Sequence, residues 1–252
     1  MTRQNIYFPP CGFGFWYLLG ILNTEAFNEY NIYGSSAGSL ICLVSILNKK
    51  DRDLKTIIDI CSSIQEKISI NGIFSELNLY NYSSKFCDSI IEIIKQKQNP
   101  HIIDAKLDRI YIEVSEIYFA YGFIPYIKSD FIKPKNLNEL KNLIICSCYF
   151  PILSYYKSLF FYKLNNRYYI DGIFGKLFNK SKVSNIYKIN CSRYISIFPC
   201  NKIKVINLYN KGLFHKKNLN SNSFFNIFYI IYYNLLDLFN LLLNIIYYRN
   251  FI

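Results

Sequence analysis

Residues 31–44 read NIYGSSAGSLICLV. A short strand-like run, Asn31-Ile32-Tyr33, leads into Gly34-Ser35-Ser36-Ala37-Gly38, and an apolar run of helical length follows without a break. The chain has only 10 glycines in 252 residues, and two of them bracket one serine here. A Gly-x-Ser-x-Gly turn between strand and helix has a mechanical use. The tight elbow holds the serine in a strained conformation with its hydroxyl above the sheet, and the glycines remove side chains that would collide there. Backbone N–H groups at the start of the following helix favour negative charge developing nearby.

Working outward, residues 5–10 (NIYFPP) read as a short strand stopped by two prolines, and 11–27 as a glycine-containing turn followed by a helix. Two strand–turn–helix units within about fifty residues predict an α/β fold with a mostly parallel sheet. The second helix is expected to close on Lys49 and Lys50, which suit a helix C-terminus. Residues 53–98 have helical spacing with a break at Asn71-Gly72, and 108–119 alternate as a strand. Residues 131–151 give a proline-marked loop, a helix and a stop at Pro151. Residues 158–174 give two strands around Asn165-Asn166, ending at Asp171-Gly172. RYISIFPC (193–200) and KIKVINLY (202–209) read as late strands.

The expected division is a catalytic-type domain over 1–205 and a basic segment with an amphipathic helix over 206–252. In that tail Asn226, Asn234, Asp237, Asn240 and Asn244 share one helical arc. A central Asp costs about 3 kcal/mol on insertion scales, which disfavours a membrane span. Packing on the domain's own core or lying in a membrane interface remain open, with Lys211, Lys216 and Lys217 suited to an anionic surface.

Hydrophobic residues make up 52%, which excludes general disorder. The formal net charge of +12 favours a polyanionic partner, yet no nucleic-acid motif accompanies it. Eight cysteines form no CxxC, and most sit in apolar runs. With no signal-peptide pattern at the start, the expectation is an intracellular, cytoplasmic protein, peripherally membrane-associated and not secreted. The two histidines, His101 and His215, make a histidine metal site an unattractive expectation, and no cofactor or metal is expected.

Ser36 needs a base. The order Ser36, Asp171, His215 would suit a triad, but Ser36 lies too near the start to follow several βα units, and His215 sits in a basic, loop-like run. A dyad is simpler, with a carboxylate taking the serine proton directly. At this point the chain resembles a family. PPCGFGFWYLLG (9–20), YGSSAGSL (33–40), NLIICSCYFPIL (142–153) and RYYIDGIFG (167–175) look like successive landmarks of patatin-like phospholipases, in particular the animal branch of adiponutrin and adipose triglyceride lipase. The likeness covers roughly residues 5–176.

That resemblance implies a three-layer α/β/α sandwich with a mostly parallel central sheet, and a Ser–Asp dyad that hydrolyses acyl esters of lipids at a membrane or lipid-droplet surface. It makes Ser36 the nucleophile, Asp171 the base with Gly172 beside it, Gly34 and Gly38 the elbow glycines, and Cys11, Gly12, Phe13 and Gly14 the oxyanion loop. A base role calls for a partly desolvated Asp171. The chain departs from the family at the loop, where only Gly12 keeps register, and at Ile173, which replaces a small residue. The segment around Cys146–Pro151 reads either as acyl-pocket lining or as a buried helix end. The competing expectation is a catalytically weak lipid-binding protein on the same fold.

Overall fold

The structure, a computed structural model, describes residues 3–24, 27–69, 79–120, 124–150, 154, 161–174, 186–191, 194 and 202–214. The two expected strand–helix units open the chain. They are β1 (Gln4–Phe8) with α1 (Phe15–Thr24), and β2 (Tyr30–Ser35) with α2 (Ala37–Ile46). The helices α3 (Leu54–Ser69), α4 (Leu79–Lys97) and α5 (Pro100–Leu107) follow, then β3 (Ile110–Ala120) and β4 (Ile124–Ile132). The described order ends with α6 (Leu137–Ser147), β5 (Tyr162–Leu164), β6 (Arg167–Ile170), β7 (Ile186–Lys188) and α7 (Lys202–Leu213). The chain is therefore a mixed α/β protein whose sheet of seven strands is parallel across β7, β1, β2 and β3 and antiparallel at β4, β5 and β6.

The parallel register sorts side chains into rows. Ile6, Ile32 and Ile110 share one face, and Tyr7, Tyr33 and Tyr111 share the other. The tyrosine row is closed by ring packing, with Tyr33 stacked on Tyr111 at 4.6 Å and Phe131 edge-on to Tyr33 at 5.1 Å. Tyr7 donates its hydroxyl to Glu113 Oε2 at 2.6 Å. Burial, and then the Glu113 charge, push the Tyr7 hydroxyl well up, so it stays a donor.

Every residue of α2 except Ser45 is buried, as a helix apolar on nearly all sides requires. Its C-terminus is not closed by Lys49 and Lys50, which lie in a separate single turn over Lys49–Asp51. Gln98 Nε2 and Lys106 Nζ both donate to Ile46 O at 2.6 Å instead, and buried Arg52 reaches Ser45 O and the α1 carbonyl Leu22 O. Long side chains from distant positions satisfy the orphan carbonyls.

β3 is the longest strand, and both its edges are used. β4 runs along one edge from Ile112 to Ala120. On the other edge β2 pairs as far as Ser35 opposite Glu113, and β6 arrives from the opposite direction to end at Ile170 opposite Ser115. A strand has only two edges, so β2 and β6 occupy one lane and meet end to end. Only Val114 of β3 lies between their last pairs, a step of two residues or roughly 7 Å along the strand.

KIKVINLY is a helix, not the expected strand. Its alternation lasts only four residues, whereas the buried positions Val205, Leu208 and Gly212 follow a helical spacing. This helix, α7, runs through the domain boundary expected at 205–206. It crosses α1 at paired glycines, where a Cβ on Gly212 would stand 2.1 Å from Tyr17 O and one on Gly20 2.2 Å from Tyr209 O. β4 and β7 were not legible as strands; β4 carries Pro125, Lys128 and Asp130 and is held in place by β3. The expected break at Asn71-Gly72, nearly all of the expected strand 193–200, and the tail from 215 lie outside the described residues.

Because the α1–α7 crossing brings backbone against backbone, no rotamer change relieves an added methyl. Gly212→Ala is expected to lower stability by about 1–3 kcal/mol, read as a lower urea midpoint; an unchanged midpoint would show that α7 is not seated on α1.

Candidate active site

The end-to-end meeting of β2 and β6 decides what lies beyond them. The residue after β2 is Ser36 and the residue after β6 is Asp171. Ser36 Oγ donates to Asp171 Oδ2 at 2.7 Å, across 135 residues of sequence. Both are almost fully buried, Ser36 at 9% exposure and Asp171 at 3%.

Ser36 has φ 50° and ψ −126°, a backbone conformation that costs a non-glycine residue of order 1–3 kcal/mol. Hydroxyls hold it there from both peptide sides. Ser36 N–H donates to Ser147 Oγ at 2.8 Å, and Ser147 Oγ donates in turn to Glu113 O at 2.7 Å. Ser39 donates to Ser36 O through its Oγ at 2.5 Å and its backbone N–H at 2.8 Å. At about 0.5–1.5 kcal/mol each, these bonds offset the strain of the elbow.

The glycines of the two motifs serve close approach. A Cβ on Gly34 would lie 2.5 Å from Gly38 O, and one on Gly38 2.0 Å from Phe8 O, so the elbow folds tightly against the end of β1. A Cβ on Gly172 would lie 2.0 Å from Ser35 Oγ, so the Asp-Gly pair can sit directly against the end of β2.

Asp171 is fixed from its own segment as well. Ile173 N–H donates to Asp171 Oδ1 at 2.9 Å, and Asp171 N–H donates to Tyr149 O at 2.8 Å. The residue that departs from the family pattern thus contributes its backbone to orienting the carboxyl, which leaves Oδ2 facing the serine.

The loop over residues 11–14 follows β1 and leads into α1. Gly12 has φ 53°, a left-handed conformation suited to glycine. Gly14, the residue expected to lend this loop flexibility, donates its N–H to Cys11 O at 2.9 Å within a tight turn. Its glycine identity has another cause: a Cβ there would lie 2.2 Å from Tyr194 O. Phe13 packs edge-on to Tyr82 of α4 with ring centroids 5.8 Å apart.

Of the segment 146–151, the described residues Cys146–Phe150 fall at the end of α6 and just beyond it, and Pro151 lies outside the described residues. Ser147 is the buried hydroxyl wired to the elbow, a role that the sequence did not announce. Cys148 lies 3.5 Å from Ser39 Oγ. Burial, with the neighbouring Asp171 charge second, pushes its thiol up to about 12, so it is neutral and no rival nucleophile. Tyr149 packs with Tyr80 and Tyr162, and Phe150 with Phe174, so aromatic rings flank the segments that carry Asp171.

His215 lies outside the described residues, and His101 is an exposed residue at the start of α5. Among the described residues no cluster of three or more His, Cys, Asp or Glu side chains is arranged to hold a metal ion.

No protein-family model, no curated protein and no solved structure matches this chain. The functional reading therefore rests on the geometry of the site.

Two substitutions test that geometry. Gly172→Ala places a methyl on the Ser35 hydroxyl and is expected to cost about 1–3 kcal/mol, while adding Ser35→Ala should restore most of the loss. A double-mutant cycle by urea unfolding measures the coupling, and additive effects would contradict the close approach. Ser147→Ala removes the partner of the Ser36 N–H and is expected to cost about 1–3 kcal/mol by the same measurement.

Proposed function

We propose that the chain is a serine acyl hydrolase of lipid esters, working through a Ser36–Asp171 dyad on a three-layer α/β/α patatin-like sandwich. The observation that carries this reading is the 2.7 Å hydrogen bond from Ser36 Oγ to Asp171 Oδ2 at a strained strand-to-helix elbow. A serine is activated by an adjacent base within about 2.6–3.2 Å, which this bond satisfies.

The chemistry runs in two halves. Ser36 Oγ attacks the ester carbonyl as its proton passes to Asp171 Oδ2, and the carbonyl oxygen takes up negative charge. The C–O bond to the alcohol then breaks, Asp171 returns the proton to the leaving oxygen, and an acyl-serine remains. Water attacks that ester and gives its proton to Asp171. Collapse releases the fatty acid and restores the Ser36 hydroxyl. Backbone N–H groups of the loop at Cys11, Gly12 and Phe13 are the donors assigned to the oxyanion, assisted by the N-terminus of α2.

No helix among the described residues is long and apolar enough to cross a membrane. In this reading the protein works from the cytoplasmic side as a peripheral protein on a membrane or lipid-droplet surface, with a lipid ester as substrate and no cofactor.

A catalytically weak lipid-binding protein is the second reading. Its support is the altered loop, in which Pro10 has no N–H to offer, and the loss of one oxyanion donor is worth about 10²–10³ in rate where it has been measured in enzymes.

Hydrolysis of a long-chain p-nitrophenyl ester tests the first reading. Ser36→Ala is expected to lower kcat by roughly 10⁴-fold or more, and Asp171→Asn by about 10²-fold or more. An unchanged rate in Ser36→Ala removes this serine from the mechanism. Failure of the wild type both to turn over the ester and to label with a fluorophosphonate favours the second reading.

A further inference from the structure

We infer that the far end of the β3–β4 hairpin is a docking wedge for an anionic lipid bilayer, entered by the rings of Tyr118, Phe119 and Tyr126. The inference rests on the lipid-ester reading of the dyad and adds the surface by which the protein reaches its substrate.

The first observation is where the hairpin ends. β6 stops at Ile170 opposite Ser115, and Asp171 comes next. β3 runs on, paired with β4, so Phe119 lies four residues beyond that level, about 13 Å at the rise of a strand. The hairpin end therefore projects past the level of the Ser36–Asp171 pair, which sits on the side of β3 shared by β2 and β6.

The second is what the end displays. Phe119 is 47% exposed and Tyr126 50% exposed. Tyr118 and Tyr126 are register partners on one face, stacked with centroids 5.2 Å apart. Phe119 is on the other face, edge-on to Tyr168 at 6.1 Å. A strand that covers a core is apolar on one face and polar on the other. Large rings on both faces near the end of a paired ribbon suit a medium that surrounds it. Aromatic side chains concentrate where an apolar body meets a wet boundary, and tyrosine carries the hydroxyl that such a boundary satisfies.

The third is the charge behind the rings. Lys128 is exposed, Lys163 Nζ lies 5.6 Å from the Tyr168 ring centroid, and Arg167 is exposed while pairing with Glu116 at 3.4 Å. These cations stand on the strands just behind the aromatic end, with the chain's net charge of +12 as the wider field. Basic groups set back from a ring of aromatics match anionic headgroups above an acyl boundary. A second copy, equally positive, would meet repulsion at this face.

The test uses the full chain and its single tryptophan, Trp16, which is buried at 5% exposure. Phe119→Trp places a new reporter on the wedge. Its emission is expected to shift to the blue when vesicles of equimolar phosphatidylcholine and phosphatidylglycerol are added, and to shift less with phosphatidylcholine alone. The pair Phe119→Ser with Tyr126→Ser should lower the vesicle-bound fraction in sedimentation by about tenfold or more, and turnover of a vesicle-borne ester by a similar factor. It should leave hydrolysis of a soluble short-chain p-nitrophenyl ester unchanged, which also reports that the variant is folded. An unmoved emission, or full vesicle binding by the double serine variant, overturns the wedge while the esterase result stands. Vesicle binding with no esterase activity in the wild type overturns the hydrolase reading alone. A concentration-dependent dimer that the double serine variant abolishes, without vesicle binding, assigns the face to a second copy and overturns the wedge.

Discussion

The site depends on one sharing of hydrogen-bonding edges. β3 gives one full edge to β4 and divides the other between β2 and β6, which approach from opposite ends. Whatever residue follows each of those strands must emerge beside the other. That constraint brings a serine at 36 and a carboxylate at 171 to 2.7 Å without any flexible segment having to search for the contact. It also explains the arrangement of glycines, because two strand ends and a helix start converge where side chains at 34, 38 or 172 would overlap main chain or a serine. Close packing of this kind has no slack for an added methyl group.

The elbow shows why the neighbouring serines are present. Ser36 precedes the first turn of α2, so its N–H has no partner within the helix, and the Ser147 hydroxyl accepts it while donating onward. Ser36 O keeps the Ser39 backbone N–H and accepts the Ser39 hydroxyl as well. Ser147 reaches the elbow because α6 ends beside β3, and it closes the link by donating to Glu113 O, the residue opposite Ser35. Strand pairing, helix end and the Ser36 elbow form one connected network, with the strain at Ser36 opposed by buried groups.

Much of this was legible in the residues. The strand–turn–helix reading around 31–44 follows from apolar runs interrupted by clustered glycines, and the Asp-Gly pair at 171–172 closes a strand as expected. Legibility failed where tertiary context supplies the partner. β4 carries a proline and charges that read as loop, and it is a strand because β3 offers a long unpaired edge. KIKVINLY alternates briefly and is helical because its period of burial against α1, fixed by Gly212, runs beyond the alternating stretch. Ser147 stands between two cysteines in an apolar run, and nothing local marks a hydroxyl that acts 111 residues away. Gly14 was legible as a glycine of the loop but not for the space it leaves, since it makes room for Tyr194 O, a contact 180 residues away.

The length of β3 joins the two ends of the proposal. Pairing with β2 uses only Ile110–Glu113, and pairing with β6 only Ser115–Ile117. A strand needed solely to align the dyad would stop there, since additional exposed strand presents unpaired edge and apolar surface, both of which natural sheets tend to suppress. β3 instead continues to Ala120, with exposed Phe119 on one face and Tyr118 stacked against exposed Tyr126 on the other. The same ribbon that sets the Ser36–Asp171 distance also fixes how far the aromatic end stands from it. In the proposed reading, depth of insertion and placement of the Ser36–Asp171 pair are then one rigid quantity, set by counting residues along a single strand.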